Sequence, residues 1–225
     1  MKHIVILTGA GMSAESGIST FRDSNGLWEN HDIMEVASPE GFAKNPKLVL
    51  DFYNARRKQL FEVTPNKGHF LLAEMEEKYK VSIVTQNVDD LHKRAGNSNV
   101  LHLHGELRKA ESTKHKNLIY DWEKDLNLGD LCEKGFQLRP HIVWFGEMVP
   151  KIDEAVKIVK QADLLIVIGT SLQVYPAAGL MQEAPMDCKT VYIDPNPAIE
   201  NGNNLTVIKK GVSEGLKGLD LAKYF

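Results

Sequence analysis

The chain lacks the features that mark secreted and membrane proteins. It has only two cysteines, Cys132 and Cys188, among 225 residues, which excludes a disulfide framework and favours the reducing cytoplasm. No apolar run is long enough to cross a bilayer, and the first residues predict a strand rather than a signal peptide. We therefore expect a cytoplasmic protein without a membrane partner.

A surplus of charge of either sign is also missing. The formal net charge is -3 at pH 7, so the composition provides no basic surface for nucleic acid. The sequence has no internal repeat and no low-complexity segment. Its length allows a substantial core, as one domain or as a large domain with a small insert. We expect a monomer that does not bind nucleic acid.

An apolar run followed by glycines opens the chain. Residues 4–7 predict a strand buried on both faces. Gly9 and Gly11 then permit a tight turn and a close approach to a ligand, and Ser13 and Ser16 are predicted to cap a helix whose free N–H groups attract phosphate. This order is typical of a dinucleotide site. The spacing is not the usual G-x-G-x-x-G, however, and a turn in another α/β enzyme fits about as well.

A polar loop, residues 20–26, follows this turn and leads to Trp28. A dinucleotide-binding fold would ordinarily continue from the helix to the next strand. Two interpretations stay open: the loop closes over a cofactor, or it is a surface loop with one buried aromatic side chain.

Further predicted strands alternate with helices and end in small or polar residues. These residues are Gln86, Asn87 and Asp89, then Gly169, Thr170 and Ser171, and finally Asp194. Ligands bind at the carboxyl ends of parallel strands. Capping of the next helix would explain Asp89 but would leave Gln86 and Asn87 without a role. We predict an α/β fold, a doubly wound parallel sheet with its site along this edge.

The sequence LHLHGE, residues 101–106, alternates like a half-exposed strand and would place His102 and His104 on one face. A metal pair was considered, but the sequence offers no obvious third ligand. His104, which Gly105 follows, is the better catalytic candidate because an imidazole at a strand end takes up a proton near neutral pH.

Tyr53 and Arg56 are neighbours on a predicted helix that begins near Asn45 and Pro46. From the residues alone, a half-buried tyrosine beside a solvated arginine is the favoured interpretation. The alternative is a phenol and a guanidinium that bind a carboxylate together.

Six motifs, in this order, resemble the sirtuin family of NAD-dependent protein deacylases: GAGMSAESGISTFR, TQNVD, LHLHGE, RPHIVWFGE, GTSLQVYPAAG and IDPNP. The resemblance covers nearly the whole large domain. It implies a Rossmann-like NAD-binding domain of residues 1–26, 68–107 and 139–225. A small lobe would consist of a helical insertion, residues 27–67, and a second insertion, residues 108–138.

The resemblance also implies which residues bind NAD. They are Gly9, Ala10, Gly11, Ala14, Gly17, Thr20, Phe21, Arg22, Trp28, Gln86, Asn87, Val88, Asp89, Gly169, Thr170, Ser171, Asp194, Asn196 and Val212. Asp194 stands where many relatives have asparagine, and a carboxylate still bonds ribose hydroxyls.

The implied reaction consumes NAD. The acyl oxygen of a modified lysine attacks the ribose carbon as nicotinamide leaves, with Asn87 and Asp89 orienting nicotinamide and a water. His104 is then the general base on a ribose hydroxyl, and water releases lysine and O-acyl-ADP-ribose. The partner is an acyl-lysine protein or peptide whose backbone would pair as an added strand with Val143, Phe145, Gly146 and Glu147.

The acyl group is implied by Tyr53-Asn54-Ala55-Arg56, which resembles the Tyr-x-x-Arg signature of sirtuins that remove succinyl and malonyl groups. Ala37 lies near where deacetylases carry a bulky aromatic residue, so the acyl pocket would be wider. With this context, the interpretation that Tyr53 and Arg56 bind the acyl carboxylate becomes the preferred one. Acetyl-lysine stays a possible substrate.

One departure from the family concerns zinc. Relatives usually carry two Cys-x-x-Cys pairs in the second insertion, whereas residues 108–138 of this chain contain Cys132 alone, with His115 as the only histidine in that segment. One thiolate and one imidazole do not make a structural zinc site. We predict no metal, and a lobe held by the packing of Leu118, Ile119, Tyr120, Trp122, Leu126 and Leu131.

Three rival functions differ from deacylation in what they predict. A mono-ADP-ribosyltransferase would use the same NAD cleft and would transfer labelled ADP-ribose to protein. A non-catalytic NAD-binding module is disfavoured because Asn87, Asp89 and His104 are all present. A nicotinamide oxidoreductase would reduce NAD and change its absorbance, whereas a deacylase releases nicotinamide.

Overall fold

The computed structural model describes residues 1–19 and 31–225 in full, and residues 27–28 by their backbone. The strands are β1 (His3–Thr8), β2 (Leu27–Trp28), β3 (His31–Asp32), β4 (Lys80–Thr85), β5 (Val100–His102), β6 (Gly105–Ser112), β7 (Ile119–Asp121), β8 (Leu138–Ile142), β9 (Leu164–Ile168), β10 (Lys189–Ile193) and β11 (Leu205–Ile208). The helices are α1 (Gly11–Ala14), α2 (Ile33–Val36), α3 (Pro39–Lys44), α4 (Pro46–Glu62), α5 (Lys67–Glu74), α6 (Leu91–Arg94), α7 (Ile152–Val159) and α8 (Val212–Lys217). None of the described helices is both long and apolar enough to cross a membrane.

Six parallel strands form the main sheet, in the order β11-β10-β9-β1-β4-β5. In this register Ile6 of β1 lies between Ile83 of β4 and Ile166 of β9. The chain extends the sheet from β1 to one side through β4 and β5, and later resumes on the other side of β1 with β9. The order therefore reverses at β1, which is where doubly wound folds bind their ligands. The predicted α/β class is confirmed.

Both faces of this sheet are covered. Val5 and Leu7 pack in a cluster that includes Val159 of α7, whereas Ile4 and Ile6 pack with residues of α5 and α8 on the opposite face. Alternate residues of a strand point to opposite faces. A strand buried on both faces therefore reads as a continuous apolar run, which is the pattern from which β1 was predicted.

A smaller lobe combines helices α2–α4 with an antiparallel sheet of order β7-β6-β8. The helix start predicted near Asn45 is confirmed, because Asn45 Oδ1 accepts from the Leu48 N–H at 3.2 Å. Helix α3 begins with the same kind of cap, in which Ser38 Oγ accepts from the Gly41 N–H at 2.9 Å. Asn54 of α4 bonds both backbone groups of Leu126, at 3.0 and 2.8 Å. These bonds fix α4 to the segment predicted as the second insertion. The division of the chain into two insertions stays a prediction.

Two local predictions at the sheet edge were wrong. Ser13 and Ser16 do not cap α1, whose first turn has no side-chain cap. Residues 101–106 are not one strand, because β5 ends at His102 and β6 begins at Gly105, which has a φ of +84°. A positive φ turns the chain and favours glycine, so the alternation of apolar and polar residues here spans a turn rather than a strand.

Two predictions for the second part of the chain also need correction. The strand expected to run to Glu147 ends at Ile142, so residues 143–147 follow β8 as a turn. In the lobe, Leu118, Tyr120, Trp122 and Leu126 pack as expected. Ile119 and Leu131 do not, since they are 43% and 53% exposed. Ile119 neighbours Tyr120 in a strand, and neighbours in a strand face opposite sides.

Candidate active site

The glycine turn after β1 packs against the end of β9. The Gly9 N–H donates to the Ile168 carbonyl at 3.1 Å and the Gly11 N–H to the Gly169 carbonyl at 2.8 Å. A Cβ at Gly11 would lie 2.7 Å from the Gly169 Cα, a distance that side chains do not adopt. Gly169 itself has a φ of +58°. The glycines therefore allow the backbone of the turn after β1 to pack directly against the backbone at the end of β9.

Ser13, Asn87 and Asp89 form one buried hydrogen-bonded group. The Ser13 hydroxyl donates to Asp89 Oδ2 at 2.8 Å and accepts from Asn87 Nδ2 at 3.1 Å. The other Asp89 oxygen accepts from the Leu91 N–H at 3.1 Å. Burial raises the pKa of Asp89, and the hydrogen bonds from Ser13 and Leu91 oppose that shift. The first helix and the end of β4 thus hold one amide and one carboxyl group at the sheet edge.

A second contact joins the ends of β4 and β9. Gln86 Nε2 donates to Thr170 Oγ1 at 3.1 Å, and the Tyr192 hydroxyl donates to the Thr170 carbonyl at 2.6 Å. After β10, Asp194 is buried and accepts from the Asn196 N–H at 2.8 Å. The structure therefore brings together the polar residues that the sequence placed at separate strand ends.

The remaining described cofactor candidates lie along the same edge. They occupy the segments that follow β1, β4, β9 and β10, or the start of α8: Ala10, Ala14, Gly17, Val88, Ser171, Asn196 and Val212. Thr20, Phe21 and Arg22, and the side chain of Trp28, lie outside the described residues. Their assignment to the cofactor stays a prediction.

Two histidines fix the backbone between these groups. His104 Nδ1 lies 3.0 Å from the Gln86 carbonyl oxygen, and His102 Nδ1 lies 3.1 Å from the carbonyl oxygen of Asn87. A carbonyl oxygen only accepts, so each Nδ1 carries the hydrogen and each Nε2 carries the lone pair. Burial lowers the pKa of His104, although the bond to Gln86 opposes this. Its Nε2 is therefore a neutral base at neutral pH.

The two histidines contact different backbone carbonyls, which supports separate local roles. Within the described part of the chain, no group of three or more His, Cys, Asp or Glu side chains is arranged to hold a metal ion. The absence of zinc remains a prediction about the purified protein.

Tyr53 and Arg56 are both buried on α4, with exposed fractions of 1% and 8%. The interpretation of a solvated arginine, favoured from the residues alone, is therefore wrong. The Tyr53 hydroxyl oxygen accepts a hydrogen bond from Trp144 Nε1 at 3.0 Å. Burial raises the pKa of Tyr53 far above its usual range, so the phenol keeps its hydrogen. Nearby Ala37 is also buried.

Residues 143–147 connect this helix with the catalytic candidates. The Val143 N–H donates to the His104 carbonyl and the Phe145 N–H to the Ala37 carbonyl, both at 2.9 Å. The Glu147 carboxylate accepts from Arg139 at 2.8 and 2.9 Å, and from the Trp144 N–H at 2.9 Å. The segment is therefore tied to the protein at alternate amides and by an inward-facing carboxylate.

Sequence reasoning missed three residues of this region. Ser13 was interpreted as a helix cap, and Arg139 lay inside the motif RPHIVWFGE without a role. Trp144 was included only in the segment expected to pair with the substrate backbone, and its side chain was given no role. The motif itself was the available signal, because an indole N–H and a guanidinium require acceptors when they are buried.

The fold and this edge define an α/β enzyme that uses a dinucleotide. Residues 9–176 match the Sir2 family. An NAD-dependent protein deacylase of Helicobacter pylori is 68% identical over 195 residues, 87% of this chain and 85% of that protein. Another, of Bacteroides thetaiotaomicron, is 52% identical over 97% of both chains.

Solved structures agree with these relatives. A Sir2 homologue bound to NAD has a TM-score of 0.86 and 41% identity, covering 96% of this chain and 86% of that one. A Sir2 protein in complex with an inhibitor, 2'-O-acetyl-ADP-ribose and a deacetylated p53 peptide has a TM-score of 0.77 and 30% identity, covering 95% and 90%. The chain belongs to the Sir2 family, and the expected NAD-dependent protein deacylase activity is confirmed.

The residues along the edge suit NAD chemically. A ribose presents hydroxyl groups, which donate to carboxylates such as that of Asp194. A nicotinamide carboxamide both donates and accepts, and so do the side chains of Gln86 and Asn87. This set of donors and acceptors therefore fits the cofactor on which the family depends.

Proposed function

We propose that this enzyme removes acyl groups that end in a carboxylate, succinyl and malonyl, from lysine side chains, in addition to acetyl. The observation that carries the proposal is the burial of Tyr53 and Arg56 together on α4. A cation in a poorly solvated pocket attracts an anionic group more strongly than one in water. A guanidinium also matches a carboxylate through two parallel hydrogen bonds.

The small side chain of Ala37 supports the same substrate class. Ala37 lies at the end of α2, and its carbonyl accepts from Phe145 of the segment after β8. A methyl group here occupies less space than the aromatic side chain typical of deacetylases in the family pattern. The space left by the smaller side chain accommodates an acyl chain longer than acetyl.

Bound NAD supplies the ribose carbon that receives the acyl oxygen and the nicotinamide that leaves. His104 takes a proton from a ribose hydroxyl at Nε2, because its Nδ1 hydrogen is committed to Gln86. Asn87 and Asp89 orient the nicotinamide amide and a water through the network centred on Ser13. The buried setting excludes bulk water from the reacting groups.

The proposed partner is an acyl-lysine protein or peptide that lies along residues 143–147. The proposal is supported by the bonds of Val143 to His104 and of Phe145 to Ala37, which tie this segment to the proposed base and to a residue of the proposed acyl pocket. A substrate backbone recognised there is bound by shape and main chain rather than by its sequence.

The test compares acetyl, malonyl and succinyl groups on one lysine peptide, with nicotinamide release and free lysine as readouts. Arg56→Met should lower kcat/KM for the succinyl and malonyl peptides by about 30-fold or more, the cost of losing one partner of a buried charge pair. Deacetylation should fall much less. Lys58→Met is the matched control, since Lys58 is exposed on the same helix and should leave all three rates unchanged.

Equal losses on the acetyl and succinyl peptides would contradict the role of Arg56. Transfer of labelled ADP-ribose from NAD to protein, without release of free lysine, would favour the alternative of a mono-ADP-ribosyltransferase.

A further inference from the structure

The side chain of Trp144 forms a hydrogen bond with the hydroxyl group of Tyr53. Its indole Nε1–H donates to the Tyr53 oxygen at 3.0 Å, and the two ring centroids are 6.3 Å apart. Both side chains are almost fully buried, with exposed fractions of 2% and 1%. The residues are 91 positions apart in the sequence, so this contact exists only in the folded protein.

The chemistry of the two groups fixes the direction of the hydrogen bond. An indole N–H is only a donor, so the Tyr53 oxygen is the acceptor in this contact. The phenol hydrogen must then point away from the indole. A carboxylate only accepts, so the orientation of this hydrogen is what an acyl carboxylate would recognise. Burial raises the pKa of Tyr53, which keeps that hydrogen in place at any assay pH near neutrality.

Trp144 is itself held rigidly. The guanidinium carbon of Arg139 lies 3.4 Å from the centroid of its ring, a cation–π contact in a buried setting. Arg139 also forms two hydrogen bonds with Glu147, whose Oε2 accepts the Trp144 backbone N–H at 2.9 Å. Phe42 packs on the same indole, with ring centroids 5.3 Å apart. The indole is ordered by folding, so a ligand does not bear that entropic cost.

We propose that Trp144 is a specificity-determining positioning residue that aims the Tyr53 hydroxyl at the carboxylate end of the acyl group. The inference rests on the proposed function, since it concerns the same acyl pocket. An acetyl group has no carboxylate to receive this hydrogen bond. Trp144 therefore acts on the choice between acyl groups more than on the reaction itself.

The experiment is Trp144→Phe, assayed on succinyl and acetyl forms of one peptide. Phenylalanine keeps an aromatic ring for Arg139 but removes the N–H donor. The ratio of succinyl to acetyl kcat/KM should fall about tenfold, in line with the loss of one hydrogen bond that serves a charged group. The loss should lie mainly in KM for the succinyl peptide. Because both rates come from one preparation, the ratio does not depend on the folded fraction.

Trp122→Phe is the matched control. The Trp122 Nε1–H donates to the Asp125 carbonyl at 3.3 Å in the small lobe, away from Tyr53. This change should leave the ratio as in the wild type. An unchanged ratio in Trp144→Phe, or equal loss on both substrates, would overturn the inference.

A double-mutant cycle with Tyr53→Phe separates positioning from packing. If Trp144 acts through the Tyr53 hydroxyl, Trp144→Phe should not lower the ratio further in the Tyr53→Phe background. Additive losses would overturn the inference. A wild type that does not remove succinyl would refute the proposed function and this inference with it. Loss of selectivity in Arg56→Met but not in Trp144→Phe would refute this inference alone.

Discussion

The Ser13 hydroxyl donates to Asp89 across 2.8 Å, although the two residues are 76 positions apart in the sequence. The same oxygen accepts from Asn87 at 3.1 Å. One short side chain on α1 thus sets the relative orientation of the amide and the carboxyl group proposed to bind nicotinamide. The glycine turn therefore places Ser13 within reach of both residues.

Ser13→Ala should lower kcat for nicotinamide release by about tenfold, because it leaves Asn87 and Asp89 without their shared partner in a buried setting. The pKa of Asp89, already raised by burial, should rise further once the Ser13 donor is lost. Initial rates with saturating peptide and NAD measure the effect. Ser98→Ala, at an exposed position, is the control. A wild-type kcat in Ser13→Ala would show that the network does not orient the reacting groups.

The pH dependence of kcat should report His104. Its pKa is lowered by burial, so the imidazole stays neutral below its usual pKa of 6.5 and is protonated only in more acidic solution. Activity should therefore fall on the acid side with a midpoint below 6.5. His104→Asn should lose about a hundredfold or more, the contribution typical of a general base. His115→Asn, in the small lobe beside Phe136, serves as the control. An acid midpoint above 7 would contradict this role.

Cys132 should stabilise the small lobe by packing rather than by binding zinc. It is buried in a cluster with Leu126 and Leu138, so Cys132→Ala should lower the free energy of unfolding by about 1 kcal/mol. Chelation of the wild-type protein with EDTA should leave its Tm unchanged, and metal analysis should detect no stoichiometric zinc. Cys188 is also buried, in a cluster of the large domain, so Cys188→Ala should lower the free energy of unfolding by a similar amount if both thiols act by packing. A lower Tm after chelation would disprove the prediction.

Local patterns identified the parts of the molecule whose interactions are short in sequence. The caps at Ser38 and Asn45 bond amides three residues ahead, so their spacing alone indicates a helix start. The apolar run of β1 reflects burial on two faces. The placement of Gln86, Asn87 and Asp194 at strand ends followed from the geometry of parallel sheets.

Tertiary structure decided which side chains meet. The alternation in residues 101–106 is the same for one strand as for two strands joined by a turn, and only the positive φ of Gly105 distinguishes them. A residue of β7 faces the core or solvent according to strand register, which is why Ile119 was misassigned.

The sequence by itself determined the fold class, the family and the sheet edge at which the polar candidate residues collect, because periodicity and motif order depend on nearby residues. Only the folded chain decided that Ser13 joins Asn87 to Asp89 and that Trp144 holds Tyr53. Those contacts depend on residues 74 to 91 positions apart, and no local propensity encodes a distance between elements that meet only when the sheet and the small lobe are packed together.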